Sequence, residues 1–114
     1  MKRGEIWTVA GGPDYTGKPR PVVILQDDHF SDTDSITVCA FTTDAADAPL
    51  FRIPVEPDTA NGLHAPCRLM VDKVTTVPKS KIGNRIGKLN PEYLLRLNRS
   101  VFVFLGLGTS IRSA

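Results

Sequence analysis

Few side chains in this sequence could do chemistry, and most of the usual catalytic sets are missing. His29 and His64 would make an acid–base pair only if the fold joined them, and each lies in a loop-like context. Asp27, Asp28, Asp32 and Asp34 look like a solvated acidic loop more than a set of metal ligands. There is no glycine-rich phosphate cradle, no zinc-type Cys/His spacing and no nucleophile elbow. Arg20 is what remains. It stands where a turn-rich segment, Ala10 to Pro19 (AGGPDYTGKP), enters the apolar run Arg20 to Gln26 (RPVVILQ). A strand end that carries a loop holds a side chain firmly at the rim of a core, where sites commonly sit. Thr42 and Thr43 end another extended stretch, and their hydroxyls would approach the guanidinium if the two strands were neighbours. On residue types alone the plainer readings weigh more. Arg20 would then be a surface ion pair with Asp44 or Asp72, and the Thr pair ordinary strand propensity.

The elements that must position these residues are mostly strands. Glu5 to Val9 alternates in strand-forming types and gives a first strand. The β-branched run from Arg20 to Gln26 suits a central strand covered on both faces, with Pro21 near its beginning because it lacks an N–H. Ile36 to Thr42 is a third strand. Phe51 to Val55 is a shorter one, and Pro54 assigns it to an edge. Cys67 to Asp72 alternates, so Cys67, Leu69 and Val71 would face the core and Arg68, Met70 and Asp72 would share the opposite face. Val74 to Val77 continues the extended chain, and Ile82 to Ile86 adds a turn or short strand. The period then changes. Asn90 can cap a helix, Pro91 suits its first position, and Leu94, Leu97, Val101, Phe104 and Leu105 recur at helical spacing until Gly106. Trp7 is expected to pack against that helix.

Composition sets the outer bounds. A length of 114 residues with 41% hydrophobic content fits one domain, residues 1–114, and the nine prolines and nine glycines fit many turns. A net charge of +2 is far from that of a protein that coats nucleic acid, so any RNA-binding charge must be local. The amino terminus lacks the apolar run of a secretory signal, and Val101 to Leu107 is too short to cross a bilayer. A cytoplasmic protein without a membrane segment is the expectation. Cys39 and Cys67 then read as buried free thiols.

Three blocks in order carry a family resemblance over almost the whole chain. They are Arg3-Gly4-Glu5-Ile6-Trp7 with Gly17-Lys18-Pro19-Arg20-Pro21-Val22-Val23-Ile24-Leu25, then Met70 to Val77, then Ile86-Gly87-Lys88-Leu89 before a helix. The sequence resembles the MazF/PemK toxins of bacterial toxin–antitoxin systems. The resemblance implies a mainly β fold with a C-terminal helix, a small SH3-like barrel of the PemK/CcdB kind. It also implies a homodimer that cleaves single-stranded RNA without metal or other cofactor and is neutralised by a MazE-like antitoxin. Arg20 matches the family's catalytic arginine, and Thr42 its threonine, with Thr43 at the following position. In that chemistry the RNA's own 2′-hydroxyl attacks, giving a 2′,3′-cyclic phosphate and a 5′-hydroxyl. An arginine fork would bind phosphate oxygens as charge develops on them, and a threonine hydroxyl would steady the phosphate or the 2′-oxygen.

One departure stands out. Plasmid-type relatives carry R-x-D in the second block, and here Met70 replaces the arginine while Asp72 keeps the acid. Asp72 is therefore a secondary catalytic candidate, and Arg68 a substitute cation from the same strand face. RNA contacts are expected from Tyr15 and Lys18 in the first loop and from Thr43, Arg52 and Arg68, with Phe51 more a core residue than a stacking platform. The runner-up is a non-catalytic CcdB-like toxin that poisons DNA gyrase; a third reading is a degenerate member that only binds RNA or its antitoxin.

Overall fold

A computed structural model describes residues 1–11, 18–45, 47–48 and 50–108. Seven strands precede one helix: β1 (Glu5–Val9), β2 (Arg20–Ile24), β3 (Ser35–Thr42), β4 (Arg52–Val55), β5 (Cys67–Met70), β6 (Thr75–Pro78), β7 (Ile82–Lys88) and α1 (Pro91–Phe104). All pairings are antiparallel, and the main path runs β4-β5-β3-β2-β1-β7. β3 is long enough to serve two neighbours on one edge: Ser35 to Val38 pair with β6, and Phe41 and Thr42 pair with β5. The hydrogen-bonded path does not close into a ring among the described residues, so the architecture is a strongly bent sheet with a helix packed on it.

Period-two alternation gives β2 and β3 two apolar faces. Val23, Cys39 and Phe41 point into the larger core with Ile6, Ile53, Val55, Leu63, Leu69 and Val71, and Leu89 and Leu97 close it from the helical side. Val22, Ile24, Ile36 and Val38 form a second, smaller cluster on the other face. β2 is thus covered on both sides, as its unbroken apolar run implies. β4 ends the sheet path, where Pro54 costs no ladder hydrogen bond. Both cysteines are free. Cys39 is buried and Cys67 half-buried, and burial pushes the Cys39 thiol up to about 12.

The helix begins and ends as its sequence indicates. The Asn90 side chain accepts from the Tyr93 N–H at 2.9 Å, ahead of Pro91. At the other end Gly106 takes a left-handed φ of 71°, while Leu107 N–H donates to Phe102 C=O and Gly106 N–H to Val103 C=O, a Schellman closure. Leu97 is fully buried, and Leu94 and Val101 pack against the core. The apolar stripe does not stay covered, however: Phe104 and Leu105 are 48% and 58% exposed.

Three further expectations need correction. Ile82 to Ile86 is part of a full strand, β7, which pairs with β1 through two register shifts. Its sequence hides this because Gly83 and Gly87 interrupt any alternation. Gly87 is demanded by close approach: a Cβ there would meet the Ala60 and Asn61 backbone at about 2.5 Å. Trp7 packs against the smaller cluster, on the face away from the helix, and its indole N–H donates to Glu5 at 3.1 Å. Finally, the alternation of the fifth strand ends at Met70. Val71, Asp72 and Lys73 form a 3₁₀ turn, so Asp72 does not continue the strand face of Arg68 and Met70.

Candidate functional site

The pairing register brings the expected residues together. Val22, Val23 and Ile24 of β2 face Ala40, Cys39 and Val38 of β3, and Arg20 and Thr42, which lie two residues beyond Val22 and Ala40, both line one cleft. Thr42 in turn pairs with Arg68 on β5. Residues directly opposite share a sheet face, so Thr42 and Arg68 stand side by side across β3 and β5. Arg20 is exposed, and it opens β2 opposite Val9 at the end of β1. The junction that looked suitable in the sequence is therefore a real rim.

A cleft of about 300 Å³ lies on this face. Val9, Ala10, Arg20 and Val22 line one side, Ala40 and Thr42 of β3 the middle, and Met70, Lys73 and Thr75 the other side. Its base is the smaller apolar cluster, from which Val22 and Val38 contribute directly. Ala40 is the key to its depth, because a small side chain at the centre of the floor leaves room that larger neighbours on β2 and β6 then enclose. The result is an apolar cup with a cationic and hydroxyl-bearing rim. Such a surface can seat a flat ring while presenting a guanidinium and hydroxyls to a phosphate.

The other expected residues fall in different places. Lys18 and Thr43 are exposed and lie close in sequence to Arg20 and Thr42 on the rim. Tyr15 lies outside the described residues. Arg52 and Asp72 form a partly buried ion pair, with Nε to Oδ1 at 2.8 Å and Nη2 to Oδ2 at 3.1 Å. The Arg52 guanidinium holds the Asp72 carboxyl below the usual carboxylate range, and Asp72 raises Arg52 in return. Neither residue lines the cleft. Of the two carboxylates, Asp44 and Asp72, that the plainer reading offered Arg20, Asp72 is paired with Arg52 of β4, because Arg52 is the cross-strand partner of Met70 and sits beside the 3₁₀ turn. Neither histidine lines the cleft: His29 contacts Asp27 at 2.7 Å in a separate exposed turn, and His64 is exposed before β5.

Sequence reasoning missed Ala40, Lys73 and Thr75. Ala40 carries no chemistry to notice, and Lys73 and Thr75 sit where strand periodicity breaks into a turn. No group of three or more His, Cys, Asp or Glu residues able to hold a metal ion is assembled among the described residues. Nor is any described helix long and apolar enough to cross a membrane.

Comparison with known proteins bears on the family and the fold. Residues 2–105 match the family described as the PemK-like, MazF-like toxin of type II toxin–antitoxin systems. Over 107 residues the chain is 52% identical to a probable endoribonuclease MazF of Mycolicibacterium smegmatis, covering 94% of this chain and 98% of that protein. The fold is similar to that of the Mycobacterium tuberculosis toxin MazF-mt6, with a TM-score of 0.71 and 25% identity over 88% of this chain and 96% of the other. It is also similar to a chain of the MazE–MazF crystal structure from Deinococcus radiodurans, with a TM-score of 0.76 and 17% identity over 93% and 96% of the two chains. A family match over residues 2–105 and 52% identity along nearly the whole length of a curated relative place this chain, a bent sheet closed by one helix, in the PemK/MazF toxin family.

Proposed function

We propose that this MazF-like endoribonuclease toxin cuts single-stranded RNA in the cleft between β2 and β3, without a metal ion and at a short recognition sequence. The observation that carries the reading is the single cleft that Arg20, Ala40 and Thr42 line together. The RNA supplies its own nucleophile. Its 2′-hydroxyl gives up a proton as the oxygen bonds to phosphorus, the bond from phosphorus to the 5′-oxygen breaks as that oxygen takes up a proton, and the products are a 2′,3′-cyclic phosphate and a 5′-hydroxyl. Negative charge grows on the non-bridging oxygens during this exchange, and the Arg20 fork meets it with two donors. Thr42 orients the phosphate through its hydroxyl. Lys18, Thr43 and Arg68 extend the contact along the strand, and Tyr15 offers a ring for stacking. Asp72 and Arg52 act together by fixing the turn beside the cleft rather than by touching RNA.

The family match favours this activity over a CcdB-like gyrase poison. Two partners belong to the proposal. A second copy would pair through the exposed apolar end of the helix, where Phe102, Val103, Phe104, Leu105 and Leu107 stand 48–67% exposed. A MazE-like antitoxin, as in the Deinococcus radiodurans structure, would cover the cleft and compete with RNA in the cytoplasm.

The test is cleavage of a complex single-stranded RNA pool in EDTA, with the new ends mapped. Cuts bearing 5′-hydroxyl ends are expected, and Arg20→Ala should lose about 10²-fold or more in rate. An RNA pool left intact by the wild-type protein would overturn the proposal, and an unchanged rate in the variant would remove Arg20 from the site.

A further inference from the structure

Lys73 occupies a place in the cleft that neither its sequence nor the Arg20–Thr42 pair accounts for. β3 pairs with β6 up to Val38 and with β5 from Phe41, so the turn from Val71 to Lys73 bridges the gap on that edge, beside Cys39 and Ala40. β2 runs along the opposite edge. Arg20 and Lys73 therefore flank the Ala40 floor from its two sides, and both line the cleft.

The backbone under Lys73 is tightly held. Val71 is buried, and its N–H donates to Phe51 C=O at 2.9 Å. Asp72 is clamped by Arg52, and two residues after Lys73 Thr75 enters the ladder opposite Val38. The side chain itself is exposed, and its charge helps hold the neighbouring Asp72 carboxyl down without a hydrogen bond or ion pair to it. A fixed base with a long, exposed cationic arm is how a lysine serves as a phosphate-binding point charge. Met70, next to it on the rim, brings no charge of its own.

We propose that Lys73 is a second phosphate-binding residue of the cleft, holding the RNA phosphate next to the one gripped by Arg20. The proposal rests on the ribonuclease reading above. In this arrangement Lys73 positions the strand and takes no part in bond making, so its energy is spent equally on substrate and transition state.

The experiment uses an RNA carrying a site cut by the wild-type protein, made uncleavable by a 2′-deoxy nucleotide at that position. Binding is measured across a salt series for wild type, Lys73→Met and Lys73→Arg. Loss of one phosphate contact on a single strand should lower the slope of log K against log salt by about 0.7 in Lys73→Met, and Lys73→Arg should retain it. With cleavable RNA, Lys73→Met should raise KM about tenfold with kcat nearly unchanged. Identical slopes for Lys73→Met and a wild type that cuts RNA would overturn the role of Lys73 alone. A wild type that neither binds nor cuts RNA would overturn this role and the ribonuclease reading together.

Discussion

β2 and β3 present two faces to very different surroundings. On one, Val23, Cys39 and Phe41 lie in a core of eleven buried residues sealed by the helix through Leu89 and Leu97. On the other, Val22, Ile24, Ile36 and Val38 make a cluster of four, with no helix over it among the described residues and the cleft opening from it. The same β-branched strand feeds both faces, so composition does not separate them. What separates them is cover. A face with no layer of its own must end in small or amphipathic residues, and here that ending is Ala40 with Arg20, Thr42 and Lys73 around it. Most of the buried core lies on the covered side, and the proposed chemistry on the other.

The largest effect that would sharpen this contrast comes from the covered face. Leu97→Ala removes most of a fully buried side chain at the helix–sheet contact, and should cost about 2–5 kcal/mol through lost transfer energy and the cavity left behind. The urea midpoint measures it. The folded fraction should still cut RNA at nearly the wild-type rate, because Leu97 does not line the cleft. A variant that kept its stability but lost activity would break the division between the two faces.

The open face should respond in the opposite way. Ala40→Leu sends added carbons into the cleft rather than into packed core, so its effect on stability should stay within about 0.5 kcal/mol. The floor would rise between Arg20 and Lys73, and kcat/KM for RNA should fall about tenfold or more, equivalent to about 1.4 kcal/mol. Thermal unfolding and cleavage rates on the same preparation decide the matter. Activity unaffected by Ala40→Leu would mean that RNA does not use this cleft.

The two faces were not equally legible in the sequence. Periodicity and punctuation located the helix, with Asn90 and Pro91 at one end and Gly106 at the other, and the central strand, whose unbroken apolar run requires two covered faces. The first block of the family resemblance is architectural where the structure shows its contacts. Arg3 donates to Leu25 C=O at 2.9 Å and to Asn98 of the helix at 2.6 Å, and Glu5 accepts from Lys2 N–H and the Trp7 indole. Such long-range ties leave no local periodic signal. The same holds for Asn61, a polar residue within an apparent surface turn. It is fully buried because its amide closes the turn, accepting from Leu63 N–H and donating to Glu56 C=O. β7 was obscured by glycines selected for close backbone approach, and the exposure of Phe104 and Leu105 depends on what packs there, which spacing along one helix does not encode. Arg20 and Thr42 were visible as strand ends, but their adjacency is a property of register, and register follows from the whole sheet. Lys73 lay past the point where alternation stops.

The smallest effect concerns the ion pair that stands between the faces. Arg52 and Asp72 join β4 to the turn carrying Lys73, and Arg52 depresses the Asp72 carboxyl below its ordinary value. A carboxyl lowered in the folded state contributes stability above its unfolded pKa of about 3.9, and that contribution is lost as pH falls through the folded value. Arg52→Met should therefore lower the urea midpoint at pH 7, and lower it progressively less as pH falls through the folded-state value of Asp72. Glu5 retains its own share of the acid sensitivity. Burial pushes its carboxyl up, but the Lys2 N–H, the Trp7 indole and Arg85 together bring it below the ordinary value. Urea midpoints of wild type and variant should converge as pH drops below 4. If they stayed separated by the same amount at pH 2 and pH 7, Arg52 would be acting through its packing rather than its charge. The turn beneath Lys73 would then be held by packing and the Val71–Phe51 hydrogen bond, and the variant should leave RNA affinity and its salt dependence untouched.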